Sequence, residues 1–213
     1  MAVVGIVPAA GRGERLGSEG PKAFVACAGR PLVEWSLDVL EAVCDRVVMA
    51  VPEDWETGPD RVHGGAVRSA SVRAALAAAP EASIAVVHDA ARPLVTRALV
   101  ESCVDAVRSG WDAAIAAAPM SNTVKEADAD GRVVRTLDRS VLWSIQTPQA
   151  FAAGVLRRAL DVPDHVLAAA TDDASLVEAI GGSVRIVEAP PENIKVTRRV
   201  DLEIAEVLLR RRS

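Results

Sequence analysis

The chain has no surplus of positive charge: 24 Lys and Arg stand against 29 Asp and Glu, a net charge of −5. An extended nucleic-acid-binding surface, which needs a basic face, is not expected. Cations gathered locally in an acidic chain suggest instead a small anionic ligand held in a pocket. Cysteine is scarce. Cys27, Cys44 and Cys103 are odd in number, far apart and set in apolar runs, with no CxxC or zinc spacing. They are expected to be reduced core thiols of a cytoplasmic protein. No apolar run reaches bilayer length, and Met1 leads directly into a strand-like run, so the expectation is a soluble protein without a membrane partner.

What is present reads as one α/β domain. Of 213 residues, 50% are hydrophobic and 25% charged, enough to bury a substantial core. Strand-like runs recur at 2–7, 46–51, 83–88, 113–118 and 184–187. Between them lie helical patterns. Val33, Leu37 and Leu40 share one helix face, as do Val72, Ala75, Leu76 and Ala79, then Val100, Cys103, Val104 and Val107, and finally Val200, Ile204 and Val207. Strands alternating with helices imply right-handed crossovers and a largely parallel sheet covered on both faces. One segment departs from this: 123–126 and 133–136 flank a turn containing Asp128, Asp130 and Gly131, which predicts a β-hairpin. A hairpin outside the main sheet leaves unpaired edges, so it is expected either to dock on a second subunit or to fold over its own domain.

The richest stretch is AVVGIVPAAGRGERLGSEGPKAF, residues 2–24. A buried-strand pattern breaks at Pro8 into a small, glycine-dense loop carrying Arg12, Arg15 and Lys22. Ala9, Ala10, Gly11 and Gly13 allow close backbone approach and present N–H groups to anionic oxygens. The cations point to a polyphosphate. The loop is not a P-loop, because no GxxxxGK[ST] occurs. It is a poor dinucleotide fingerprint, because Leu16 stands at the third glycine position. It fits a nucleotidyltransferase loop of the form PAAGxGxRxGxxxPK, in which amides cradle a triphosphate and cations neutralise charge that grows during transfer. Asp89 follows a strand at its carboxyl end, where open α/β sheets place ligands. A carboxylate there can hold Mg²⁺ against phosphate oxygens, cap a turn or pair with Arg92. His88 ends an apolar strand and reads as a structural histidine; His63 and His165 are isolated.

Together with VHDAARP (87–93), LWSIQTPQ (142–149), TDDAS (171–175) and NIKVT (193–197), the loop resembles the 2-C-methyl-D-erythritol 4-phosphate cytidylyltransferase family, in order from residue 3 to about 205. The resemblance implies a Rossmann-like, mostly parallel sheet flanked by helices, of the nucleotide-diphospho-sugar transferase type, with a protruding β-hairpin dimerisation arm at about 120–142. It implies a homodimer dependent on CTP and Mg²⁺. Arg15 and Lys22 would sit on the transferring phosphate, with Arg139 and Lys195 aiming the methylerythritol phosphate at it. Ala9, Ala10, Gly11, Gly13, Gly65, Ser71 and Ala90 would contact CTP. Asp89, Arg92, Thr123 and Thr147 would hold the second substrate, with Thr123 and Arg139 reaching into the partner's site. No nucleophilic side chain is needed for such a transfer, in keeping with the lack of a Ser–His–Asp or Cys–His arrangement. Ala66 stands where many relatives carry an acidic residue. A relative acting on another polyol phosphate such as ribitol 5-phosphate, a non-catalytic nucleotide-binding protein and an NAD(P)-dependent oxidoreductase are the alternatives. Lys195, between Ile194 and Val196 in a strand-like run, is expected to need an anion, which the substrate would supply.

Overall fold

The apolar run at the start of the chain becomes a central strand because its alternate residues serve two cores at once. In the computed structural model, which describes residues 1–11 and 20–212, β1 (Val3–Pro8) turns Val3 and Val7 to one face and Val4 and Ile6 to the other. Two short strands, β2 (Ala26–Cys27) and β3 (Arg30–Pro31), pair through Ala28 and Gly29, both at positive φ. Helix α1 (Leu32–Glu41) leads to β4 (Arg46–Val51) and β5 (Arg61–His63), and α2 (Arg68–Ala77) leads to β6 (Ile84–Val87). Then come α3 (Arg97–Arg108), β7 (Ala113–Pro119), β8 (Lys125–Ala127), β9 (Val133–Thr136) and β10 (Trp143–Ala152). The chain ends with α4 (Ala153–Leu160), α5 (Asp164–Ala169), α6 (Asp173–Ala179), β11 (Val184–Glu188) and α7 (Arg199–Arg212).

Seven strands form the main sheet in the order β11-β7-β10-β6-β1-β4-β5. Pairs β1–β4, β1–β6, β4–β5 and β7–β11 are parallel, whereas β10 runs antiparallel to both β6 and β7. The strands expected at 2–7, 46–51, 83–88, 113–118 and 184–187 are found within one or two residues, but the alternation did not predict β5 or β10. Strand β10 carries Gln146, Thr147, Pro148 and Gln149 where a buried strand normally shows aliphatic residues. Proline is admitted because the register shifts between Ile145 and Gln149, and bulges are where sheets tolerate proline.

Hydrophobic residues fill both sides of the sheet. Residues of α1 and α3 build one core, and residues of α2, α4, α5 and α6 build the other. The three cysteines are free and buried, and burial pushes the Cys44 and Cys103 thiols up to about 12. A third cluster, including Cys27, Leu94, Val196, Ala205 and Leu209, docks α7. Here the helix face read from periodicity is corrected: Val200, Ile204 and Val207 are 54%, 46% and 53% exposed. Aliphatic residues occupy two faces of α7, so spacing alone does not choose between them, and the face bearing Ala205 and Leu209 is the one buried. The hairpin forms as a separate two-stranded sheet of β8 and β9, exposed along its length, with the turn closing at Gly131, φ 81°.

Candidate active site

At the carboxyl ends of β1, β4, β5 and β6 the chain leaves the sheet around one cavity of about 1620 Å³. Ala9 N–H bonds to Ala50 O at 2.8 Å, which fixes where the first loop departs. Lys22 N–H returns to Gly11 O at 3.3 Å and begins a 3-10 turn, Lys22–Phe24, so the two ends of the loop meet. Phe24 rests on Trp55 with ring centroids 4.2 Å apart, tying this turn to the segment after β4. Ala9, Ala10, Gly11 and Lys22 line the cavity together. Gly13 and Arg15, like Arg12 and Leu16, lie outside the described residues.

The second wall is Gly64–Arg68. Gly64 N–H bonds to Val51 O at 2.8 Å, and Ser71 Oγ accepts from Gly65 N–H at 3.1 Å. Ser71 thus clamps the glycines to the first turn of α2 while also lining the cavity. A Cβ on Gly64 would lie 2.5 Å from Ala10 Cβ, and one on Gly65 2.5 Å from Ala70 Cβ, so neither position accepts a side chain without movement. Gly64→Ala is expected to cost about 1–3 kcal/mol of stability by overpacking. It should also raise KM for a ligand held between the two loops by pushing them apart. Thermal unfolding and initial rates would check both.

The third wall is Asp89, just past β6. Its Oδ1 accepts from Arg68 Nε at 2.9 Å and its Oδ2 from Lys195 Nζ at 2.6 Å. Burial alone would raise this carboxyl's pKa; the charges of Arg68 and Lys195 outweigh it and hold the group far below the usual carboxylate range. Arg68 in turn reaches Asp173 Oδ2 through Nη1 at 2.5 Å. The expectation that substrate supplies the anion for Lys195 is corrected: Asp89, within the protein, already does so. The strand expected around Lys195 is absent. Pro190 and Pro191 precede it, Asn193 and Ile194 make local turn bonds, and Val196 N–H bonds to Ala91 O at 2.8 Å.

Beneath Asp89 lies a buried polar layer. Thr147 Oγ1 accepts from Asp89 N–H at 3.0 Å and lies 3.1 Å from His88 Nδ1. His88 Nε2 lies 3.3 Å from Arg92 O, which can only accept. Nε2 therefore carries the proton, and Nδ1 accepts from the Thr147 hydroxyl. Arg92 does not pair with Asp89; its Nη1 donates to Asn193 O at 2.7 Å. Asn193 Nδ2 donates to Gln146 Oε1 at 2.7 Å and to Thr147 O at 2.9 Å. Arg92 and Thr147, 8% and 4% exposed, support the floor and do not line the cavity. Thr123 and Arg139 are not brought to it either. Arg139 Nη1 donates to Ser121 O at 2.6 Å, and Asp138 accepts from Ser140 N–H rather than pairing with Arg139. Sequence reasoning gave no role to Arg68, Asp173 or Asn193. For Asp173 and Asn193 the one signal was their place in the motifs TDDAS and NIKVT; Arg68 lies in none of the motifs that carry the resemblance.

Burial pushes the His88 pKa down from 6.5 to about 4. Its folded pKa lies below its unfolded one, so the unfolded chain takes up the proton first. Stability is then complete above pH 6.5 and falls by roughly 3 kcal/mol as pH drops to about 4. Asp89's contribution is lost only below that window. Urea midpoints measured between pH 7 and pH 4 should decline, and a flat profile contradicts the neutral buried imidazole.

Asp89 does not fit the expected Mg²⁺ ligand. Both oxygens already face a cation, and no group of three metal-ligating side chains occurs among the described residues. The cavity is lined by small residues and glycines together with two lysines, Lys22 and Lys195, and one arginine, Arg68. Over residues 3–211 the chain matches the family described as IspD: 2-C-methyl-D-erythritol 4-phosphate cytidylyltransferase. The chain belongs to that family. It is 46% identical over 226 residues to the 2-C-methyl-D-erythritol 4-phosphate cytidylyltransferase of Nocardia farcinica, a match covering 100% of this chain and 96% of that one. It is 44% identical to the enzyme of the same name from Frankia casuarinae, over 98% and 82% of the two chains. The crystal structure of the 2-C-methyl-D-erythritol 4-phosphate cytidylyltransferase from Thermus thermophilus superposes with a TM-score of 0.84 at 34% identity, covering 99% of this chain and all of that one. The chain is a nucleotidyltransferase that transfers CMP from CTP to 2-C-methyl-D-erythritol 4-phosphate in isoprenoid biosynthesis.

Proposed function

We propose that this transfer is carried out in the cavity between Lys22 and Lys195, in one catalytic domain spanning residues 1–213. The observation that carries the assignment is Lys195, held by Asp89 at 2.6 Å on the wall that faces the glycine-rich loop. A phosphate-monoester oxygen of methylerythritol phosphate attacks the α-phosphorus of CTP. The new P–O bond forms as the bond to the β-phosphate bridging oxygen breaks, and pyrophosphate leaves. Charge grows on the equatorial oxygens, so positioning and electrostatics supply the catalysis. Lys22, with Arg15, takes that charge. The small residues Ala9, Ala10, Gly11, Gly13, Gly65 and Ala90, with Ser71, receive the nucleotide. Asp89 binds the polyol hydroxyls, and Lys195 steers the incoming phosphate.

The working form is assigned as a homodimer in the cytoplasm, the compartment that reduced, buried cysteines suit. Each arm brings Thr123 and Arg139 to the partner's cavity. Support comes from the lining of the chain's own cavity, which does not include them, and from Val133, Val134 and Val141, which stand exposed on and beside the hairpin. Mixing inactive Lys22→Ala and Arg139→Ala enzymes should restore activity, because hybrid dimers would contain one intact site. No recovery after subunit exchange contradicts a shared site. Substrate assignment is tested by pyrophosphate release with CTP and Mg²⁺. Methylerythritol phosphate should support turnover and ribitol 5-phosphate should not. Turnover with ribitol phosphate alone overturns the assignment.

A further inference from the structure

The motif TDDAS places a carboxylate behind the cavity that the transfer itself does not use. Asp172 caps α6, accepting from Ser175 N–H at 2.9 Å, and its other oxygen accepts from Gln149 Nε2 of β10 at 3.0 Å. This double anchor fixes Asp173, which is 0% exposed and does not line the cavity. Its Oδ2 holds Arg68 Nη1 at 2.5 Å, and its Oδ1 is buried with no hydrogen-bond partner. A buried carboxylate with one oxygen unpaired costs stability, and an apolar side chain of similar size would cost less. Its retention calls for a use.

The use lies in the geometry of the guanidinium. Arg68 gives Nε to Asp89 and Nη1 to Asp173, so one rigid, planar group is held between two carboxylates. Lys195, Asp89, Arg68 and Asp173 form an alternating row of charges with separations of 2.6, 2.9 and 2.5 Å. Without the outer carboxylate, Arg68 is free to swing into a two-pronged grip on Asp89 and to draw that group away from Lys195.

We infer that Asp173 is a positioning residue: acting through Arg68, it sets the orientation in which Asp89 meets the polyol and holds Lys195. The inference rests on the reading of Asp89 as the polyol-binding carboxylate. It is tested with D173N, D89N and the double variant, measuring kcat/KM for methylerythritol phosphate at saturating CTP, with thermal unfolding alongside. D173N should lose about 10- to 100-fold, the range for groups acting through a neighbour. The loss should appear mainly as a higher KM for the polyol phosphate. In the D89N background the second substitution should add almost nothing, because both act on one contact.

A merely structural Asp173 would lower the melting temperature and the active fraction, leave KM unchanged and add its full loss to that of D89N. That outcome overturns the inference, as does a normal D173N beside an impaired D89N. An unimpaired D89N overturns the reading of Asp89 and the inference with it. Should D173N fail to fold, R68Q/D173N removes both buried charges, and removing both partners is tolerated better than leaving one. It should show the same loss in kcat/KM, and normal activity in that variant overturns the inference.

Discussion

Replacing Lys22 by alanine lowers kcat by about 10²–10³-fold, the loss found when one donor to a developing oxyanion is removed. The backbone bond that closes the loop, Lys22 N–H to Gly11 O, does not involve the side chain, so the turn and the Phe24–Trp55 contact survive. The size of the effect depends on water exclusion. A unit charge pair at 4 Å is worth roughly 4 kcal/mol at an effective dielectric of 20 and about 1 kcal/mol in bulk water. Lys22 is half-buried at the cavity wall, and a bound triphosphate would shield it further. Steady-state rates with an unchanged circular dichroism spectrum would establish the loss as chemical. A kcat within a fewfold of wild type removes Lys22 from the reaction.

Lys195→Ala has the second largest expected effect, about 100-fold in kcat/KM for methylerythritol phosphate, as for truncation of one partner of a close charge pair. Two losses combine. The incoming phosphate loses a cation, and Asp89 keeps only Arg68 of its two charged partners. Lys195→Arg should recover part of the activity, because charge returns in a different shape. The acid side of the stability profile should move as well. A depressed carboxyl stabilises the fold above its ordinary pKa and loses that contribution as pH falls toward its folded value. With less depression, the Lys195→Ala protein gains less from Asp89 and unfolds at a higher pH on acidification. Initial rates and acid titrations followed by circular dichroism separate the two consequences.

Much of the fold was legible because apolar runs bounded by turn residues admit few readings. The strand Arg46–Val51 is found with the bounds that its sequence suggests, and β1 lies within one residue of them. The hairpin was legible from Asp128, Asp130 and Gly131 for the same reason. Strand β10 was hidden because its residues point into a polar layer: Gln146, Thr147 and Gln149 are buried by hydrogen bonding to Asn193, His88 and Asp172 rather than by hydrophobicity. The outward face of α7 misled because aliphatic residues line both of its sides.

In the site, chemistry-bearing residue types near glycines or strand ends were visible, and their partners were not. Asp89, Lys22 and Lys195 could be singled out one by one. The pairing of Arg68 with Asp173, 105 residues away, is created only where the fold brings the first residues of α2 and α6 together. The support roles of Arg92 and Thr147 are likewise properties of depth, and nothing in a single sequence reports depth at a polar residue.

A structure of the protein with CTP bound tests the central assignment most directly. The α-phosphate should lie within hydrogen-bonding reach of Lys22 Nζ, with the triphosphate along Ala9–Gly11 and cytosine against Gly64–Gly65. A nucleotide bound elsewhere, with Lys22 turned away from its phosphates, would contradict the account.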